Sequence, residues 1–227
     1  MEVGTGNGSL SELLCRKGLR GKGYEPSEKA YRISKQRLAP YLESGQYDLV
    51  HAPFSASDSP LTKSDLVVSM MVLEHVQDDL TLVKSMVGQT RVGGYVLALV
   101  PGGKKYWSEE DDYAGHLRRY EREELKALFE NAELSDVQVR SVSVPISNLL
   151  RKAGQYLTRR ALRGQAGLTV DQRSEISGIQ NIPFKTHFPA YFGVLLNAVT
   201  MWPFIQIQRF FYPSRFGVTL LAFGKVK

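Results

Sequence analysis

Between Ser9 and Val144, helical and extended patterns take turns along the chain, and this alternation leaves few folds open. Ser9 to Lys17 places Leu10, Leu13 and Leu14 on one helical face. Gly18, Gly21 and Gly23 break that pattern, and Tyr24-Glu25-Pro26 reads as a strand end. Ser27 caps an expected helix running to about Ser44, with Ala30, Ile33, Leu38 and Leu42 as its apolar positions. Tyr47–Phe54 and the apolar run Asp65–Met71 read as strands. There follow a helix over Asp78–Val87, a turn at Gly93-Gly94, a strand over Tyr95–Val100 and a helix over Glu121–Asn131. Asp136–Val144 and Gly217–Val226 read as the last strands. Strands separated by helices predict an α/β fold: a mostly parallel sheet with helices on both faces. Ligands of such sheets sit beyond the carboxyl ends of the strands. The loop after Val3, Glu25, the Ser55–Asp58 loop and the Met70–His75 turn all fall at such ends.

The loop after Val3 is Gly4-Thr5-Gly6-Asn7-Gly8, three alternate glycines ahead of a helix start at Ser9. Glycine lets backbone approach a ligand where a Cβ would obstruct it. A dinucleotide fingerprint would put its third glycine at position 9, which is Ser9. A plain tight turn is the alternative. Glu2 is placed to bind a ligand ammonium, directly or through water, or to organise the loop. Glu25 stands where an acid accepts hydrogen bonds from ribose hydroxyls, and Asp58 where one accepts from an adenine amine; solvated loop carboxylates are the competing reading for both. Only Met1, Glu2 and Val3 precede the loop, against the usual five or six residues of a strand (about 5–6). The expectation is that Met1 is a truncated or misassigned start and that an upstream apolar segment completes the strand.

Composition narrows the class. Hydrophobic residues make up 43% of the 227 and charged ones 23%, ordinary for a globular chain. A single cysteine, Cys15, excludes an internal disulfide and fits a reducing, cytoplasmic compartment. The net charge of +6 points to anionic partners, although no nucleic-acid recognition motif accompanies it. Residues 145–216 interrupt the alternation. Asn148–Arg163 is a basic amphipathic helix, Gly164–Phe184 is polar, and Phe188–Gln208 holds no Asp, Glu, Lys or Arg. Pro189, Pro203, Asn197, Gln206 and Gln208 argue for a buried or interfacial lid helix over a membrane crossing.

Several further runs make the reading specific: Gly23-Tyr24-Glu25-Pro26, Asp65-Leu66-Val67-Val68, Val72-Leu73-Glu74-His75-Val76, Arg91-Val92-Gly93-Gly94-Tyr95 and Gly115-His116-Leu117-Arg118-Arg119-Tyr120. With the glycine loop, they give the chain a resemblance to class I S-adenosylmethionine-dependent methyltransferases, from about Glu2 to Val144. It is most similar to the small-molecule group that includes ubiquinone-biosynthesis enzymes. The resemblance implies a Rossmann-like sheet of order 3-2-1-4-5-7-6 with its last strand antiparallel. It implies a core over 1–144, a helical lid or substrate insert over 145–216, and a return to the sheet over 217–227. It implies S-adenosylmethionine contacts from Glu2, Gly4, Thr5, Gly6, Gly8, Glu25, Pro26, Ser57, Asp58, Met70 and Met71.

The implied reaction is methyl transfer to O, N or C of a small acceptor. His75 and His116 are the candidate bases; packing and loop-anchoring roles are their alternatives. Arg118, Arg119 and Tyr120 are candidate substrate contacts, and pairing of the arginines with Asp111, Asp112 or nearby glutamates is the alternative. Some RNA-end methyltransferases carry a further carboxylate three residues before a Glu-His pair; Met71 stands there, and no metal is expected. A basic stretch followed by an aromatic-apolar one suits an amphiphilic acceptor and peripheral membrane contact through 148–211, while a hydrophobic helix completing the core is the competing reading. The other functional reading is a degenerate relative that binds a membrane or protein without catalysis.

Overall fold

The computed structural model describes residues 1–55, 63–162 and 197–227. Seven strands form one sheet in the order β3-β2-β1-β4-β5-β7-β6. They are β1 (Glu2–Val3), β2 (Gly21–Tyr24), β3 (Tyr47–Val50), β4 (Ser64–Met70), β5 (Thr90–Pro101), β6 (Leu134–Val142) and β7 (Thr219–Val226). The first five pair in parallel, and β7 lies antiparallel between β5 and β6. This is the α/β architecture expected from the sequence, in the strand order that the family resemblance implies. Although β1 has only two residues, it sits at the centre: Glu2 and Val3 pair with Gly23 and Tyr24 on one side and with Val68 and Ser69 on the other.

Helices α1 (Ser9–Arg16) and α2 (Glu28–Glu43) join the first three strands, and α3 (Asp79–Gly88) joins β4 to β5. Ser27 caps α2 by accepting from the Ala30 N–H, as its sequence position predicts. Then come α4 (Glu109–Ala114), α5 (Arg122–Asn131), α6 (Ile146–Leu162) and α7 (Ala198–Phe210). One apolar core combines Val67, Val96, Ala98 and Val100 of the sheet with Val83, Met86, Leu125 and Phe129 of α3 and α5. A second gathers Cys15, Leu38 and Tyr47. The two share no buried residue, as helices on opposite faces of a sheet require.

Several boundaries differ from expectation: β6 runs from Leu134 to Val142 rather than from Asp136 to Val144, and β7 starts at Thr219 rather than Gly217. The third strand stops at Val50 rather than Phe54. The fifth starts at Thr90, before the Gly93-Gly94 pair, because the ladder absorbs those residues as an irregularity opposite Ser64–Leu66. Ser57, Asp58, Arg163 and the segments Gly164–Phe184 and 188–196 lie outside the described residues.

Antiparallel pairing brings three termini to one end of the sheet. Pro101, at the end of β5, pairs with Thr219, which also pairs with Val142 at the end of β6. That is the end where β1, β2 and β4 hand over to the glycine loop, Glu25 and Met71. Helix α6 therefore departs from the ligand end of the sheet, and the chain after α7 returns to it.

Candidate functional site

The glycine loop is fastened to its neighbours by backbone. Gly4 N–H and Thr5 N–H both donate to the Tyr24 carbonyl at 3.0 Å. Gly4 has φ +77°, and a Cβ there would lie 2.5 Å from Val72 Cγ2, so the loop packs directly on the turn after β4. Gly6, at φ +57°, is different: a Cβ would meet nothing within 4 Å. Its backbone edge faces open space while its N–H donates to Glu25 Oε2 at 2.6 Å. The other Glu25 oxygen accepts from the Ser27 N–H at 2.9 Å. Glu25, buried just after β2, thus ties the glycine loop to the start of α2 and forms a cradle with Gly6.

Glu2 lies behind the loop. Its buried carboxyl accepts from Ser11 Oγ and, at 3.4 Å, from the Tyr47 hydroxyl. Burial pushes its pKa up to about 7 against those two bonds. Of the two roles open to Glu2, this geometry fits organising the loop, through α1 and β3. Thr5 is buried, with its hydroxyl on the Tyr24 carbonyl at 3.4 Å. Met70 ends β4, and Met71 follows at φ +57°, half-exposed, with its N–H on the Leu99 carbonyl at 2.8 Å. A left-handed conformation at a non-glycine residue costs about 1–2 kcal/mol, held here beside the cradle.

Leu73-Glu74-His75 forms a single 3-10 turn. The Leu117 N–H donates to the Glu74 carbonyl at 2.8 Å and ties the Gly115–Tyr120 segment onto that turn. The His75 and His116 rings meet edge to face, 4.9 Å between centroids. Desolvation, then the neighbouring His116, bring the His75 pKa down to about 4. His116 Nδ1 lies 2.8 Å from Asp111 Oδ1, which also accepts from Arg119 Nε at 2.7 Å. Burial would raise the Asp111 pKa, but the bonds from His116 and Arg119 outweigh it and hold the carboxyl near 2. Helix α4 sets this up: Ser108 and Asp111 form a capping box, and Gly115 ends the helix in the left-handed region, so His116 folds back over it.

Glu74 is fully buried, and neither carboxylate oxygen has a hydrogen-bond partner. Desolvation pushes its pKa up to about 8. Glu74, His75 and His116 each offer a ligand atom, all within 4.8 Å of one another. Sequence reasoning found no such cluster, because the histidines are far apart in the chain and Met71 stands where a fourth ligand was sought.

The three candidate substrate residues are engaged internally. Arg118 donates to Asp79 Oδ2 at 2.9 Å and to the Gln77 carbonyl at 2.8 Å. Arg119 bridges Asp111 and the Gly102 carbonyl. The buried Tyr120 hydroxyl donates to Asp79 at 2.8 Å. This geometry fits the pairing alternative, with Asp79 rather than Asp112 or a glutamate as the partner of Arg118. Asp111 is the residue that sequence reasoning passed over as a site residue. Its signal was present: Ser108-x-x-Asp111 is a capping box, and Gly115 marks the helix end just before His116.

Known proteins agree with this picture. A family model described as a methyltransferase domain matches residues 1–139. The ubiquinone biosynthesis O-methyltransferase of Thiobacillus denitrificans is 33% identical over 96 residues, covering 42% of this chain and 41% of that protein. The protein of the same name from Nitrosomonas europaea is 33% identical over 99 residues, covering 42% and 40%. The chain thus spans only 40–41% of the length of these curated relatives. Among solved structures, phosphoethanolamine N-methyltransferase 2 of Haemonchus contortus, in complex with S-adenosyl-L-methionine, superposes with a TM-score of 0.58 at 14% identity. That match covers 99% of this chain and 47% of that one. The StiE O-MT superposes with a TM-score of 0.58 at 21% identity, covering 99% and 66%. These two likenesses establish the fold. With the family match over its first 139 residues, the chain belongs to the methyltransferase domain family.

Proposed function

We propose that this chain transfers a methyl group from S-adenosylmethionine to an oxygen of a small, amphiphilic acceptor. The observation that carries the reading is the direct coupling of the open Gly6–Glu25 cradle, through the Gly4–Val72 contact, to the turn that bears His75. The bound sulfonium would supply a methyl group already activated for transfer. The loop backbone from Gly4 to Gly8 would border its amino-acid end, Glu25 and Pro26 its ribose, and Met70 and Met71 its sulfur side. Ser57 and Asp58 are assigned to the adenine by sequence position alone.

The chain's own task is alignment. His116 donates its Nδ1–H to Asp111, which leaves the Nε2 lone pair to accept a proton from an acceptor hydroxyl. Arg119 holds Asp111 in place. An oxygen acceptor benefits from such a base, whereas a neutral amine needs none, and the O-methyltransferase relatives favour the same choice. Residues 145–216 would cover the acceptor, in a cytoplasmic enzyme. The non-catalytic alternative is not favoured, because the cradle and the histidine pair are both assembled.

The test supplies methyl-labelled S-adenosylmethionine with lipid and water-soluble fractions of a cell extract. Label recovered as a methyl ether in the lipid fraction is expected. Cofactor binding without turnover in either fraction would count against catalysis, and label confined to the water-soluble fraction against an amphiphilic acceptor.

Glu74 favours a second reading of the same site. Its orphaned, buried oxygens and the converging histidine nitrogens form a set that fits a divalent cation. Such a cation would orient the acceptor oxygen. Titration of Mg2+ and Zn2+ into the protein should then show one site that Glu74→Gln removes; no heat of binding from either ion would discard this reading.

A further inference from the structure

Helix α7 is unlike any other helix among the described residues. Its first and last apolar side chains, Val199 and Phe210, are 81% and 84% exposed, and Trp202 between them is 60% exposed. Phe204, Ile205 and Ile207 are exposed as well. At 3.6 residues per turn these six positions fall on every side of the helix. A helix that is apolar on every side is completed only by surroundings that reach all of it, the interior of a larger protein or a lipid layer. The helix has 13 residues, which at about 1.5 Å per residue makes roughly 20 Å, short of the roughly 30 Å of a bilayer core. No helix among the described residues is long and apolar enough to cross a membrane.

Charge selects the surface. Residues 146–162 and 198–216 together contain Arg151, Lys152, Arg159, Arg160, Arg209 and Arg215, and no Asp or Glu. Leu149, Leu150 and Tyr156 of α6 are exposed among these cations. At the root of α6, Arg151 lies over the Tyr106 ring at 5.3 Å, and Lys105 over Phe216 at 4.7 Å. Arg215 pairs with Glu123 at 3.1 Å. Asn148 ties α6 to the Phe216 carbonyl at 2.7 Å, and Gln208 of α7 accepts from the Ser143 N–H at 2.9 Å. Both helices are thereby planted where β6 ends and β7 begins, at the same end of the sheet as the cofactor cradle.

We infer that α7, flanked by the cations of α6, inserts into the headgroup region of an anionic lipid bilayer and sets the ligand end of the sheet against it. An amphiphilic acceptor partitions into that layer, so docking would deliver it to the site without full extraction into water. The inference deepens the acceptor reading and rests on it for its purpose, but its test does not.

The test uses the full chain with Trp107→Phe, which leaves Trp202 as the only tryptophan. Vesicles of phosphatidylglycerol should shift Trp202 emission to the blue and expose it to quenching by brominated lipid; phosphatidylcholine vesicles should do neither. Arg151→Gln with Lys152→Gln should weaken vesicle binding about tenfold, with calorimetric binding of S-adenosylhomocysteine unchanged. Co-sedimentation of the unmodified chain with the same vesicles provides a second readout should Trp107→Phe fail to fold. Emission already blue without lipid and unmoved by vesicles would show that the chain covers α7 itself and would overturn the proposal. Equal response to both lipids would overturn its electrostatic half. No sedimentation with anionic vesicles, in samples that still bind S-adenosylhomocysteine, would sink this inference while leaving the cofactor site standing.

Discussion

Helices α5 and α7 are of similar length and opposite construction. Helix α5 turns Leu125, Leu128 and Phe129 into the core against α3 and the sheet, and leaves Glu123, Glu124, Lys126 and Glu130 exposed. Its ends are closed by a Glu121–Glu124 capping box and by Ala132. Helix α7 is also well capped, by Asn197, yet it displays its apolar residues outward. Local helix chemistry is therefore sound in both, and the difference lies in what each is built to touch. The first is completed by the sheet and by α3. The second is planted on the sheet but completed by something else, which suits a region that meets acceptor or membrane.

That contrast can be broken in several ways. The largest effect is expected from Phe129→Ala, which empties a fully buried site; a loss of about 3–5 kcal/mol in urea unfolding is expected. Next, Gly4→Ala adds a Cβ against Val72 at a left-handed residue. Strain and overpacking together should cost about 2–4 kcal/mol. Gly6→Ala meets nothing, so it should cost only about 1 kcal/mol, yet weaken S-adenosylhomocysteine binding by about tenfold or more through lost close approach. Equal stability losses in the two variants would mean that the loop does not divide its work in this way.

Glu2 gives the cofactor half a pH signature. Its folded pKa is raised from 4.5 to about 7. Between those values the folded chain keeps a proton that the unfolded chain releases, so this group's contribution falls as pH rises through the window. Glu2→Gln should flatten that slope, recovering about 2–3 kcal/mol at pH 8 relative to pH 4. Urea unfolding at the two pH values measures it; an unchanged slope would place the Glu2 carboxyl in contact with water. The smallest effect belongs to α7. Trp202→Ser removes an exposed side chain and should change stability by less than about 0.5 kcal/mol. A loss of several kcal/mol would show that α7 is packed in solution and would erase the contrast with α5.

Much of the cofactor half is legible in the sequence because its signals are local. Ser27 announces α2, apolar runs announce β4 and β5, and Glu25 sits where strand gives way to helix. The strand order came instead through the family resemblance. The histidine site is less legible, since it depends on a long-range tether: the Leu117 N–H on the Glu74 carbonyl is what sets His116 beside His75. Arg118, Arg119 and Tyr120 show the opposite limit. Their residue types suit substrate binding and internal pairing equally, and only the positions of Asp79 and Asp111 give each a partner. In α7 the apolar composition is plain in the sequence, but whether those residues face the core or the outside is decided by the sheet, whose faces α3, α5 and the first two helices already cover.

The central claim is that the open glycine loop and Glu25 together hold S-adenosylmethionine. Calorimetric titration of S-adenosylhomocysteine into the chain and into Glu25→Ala tests it most directly. One saturable site, weakened at least about tenfold in the variant as loss of one or two bonds to a charged group requires, with both proteins folded, is the predicted result. No saturable binding to the folded chain, or equal affinity in the two proteins, would contradict it.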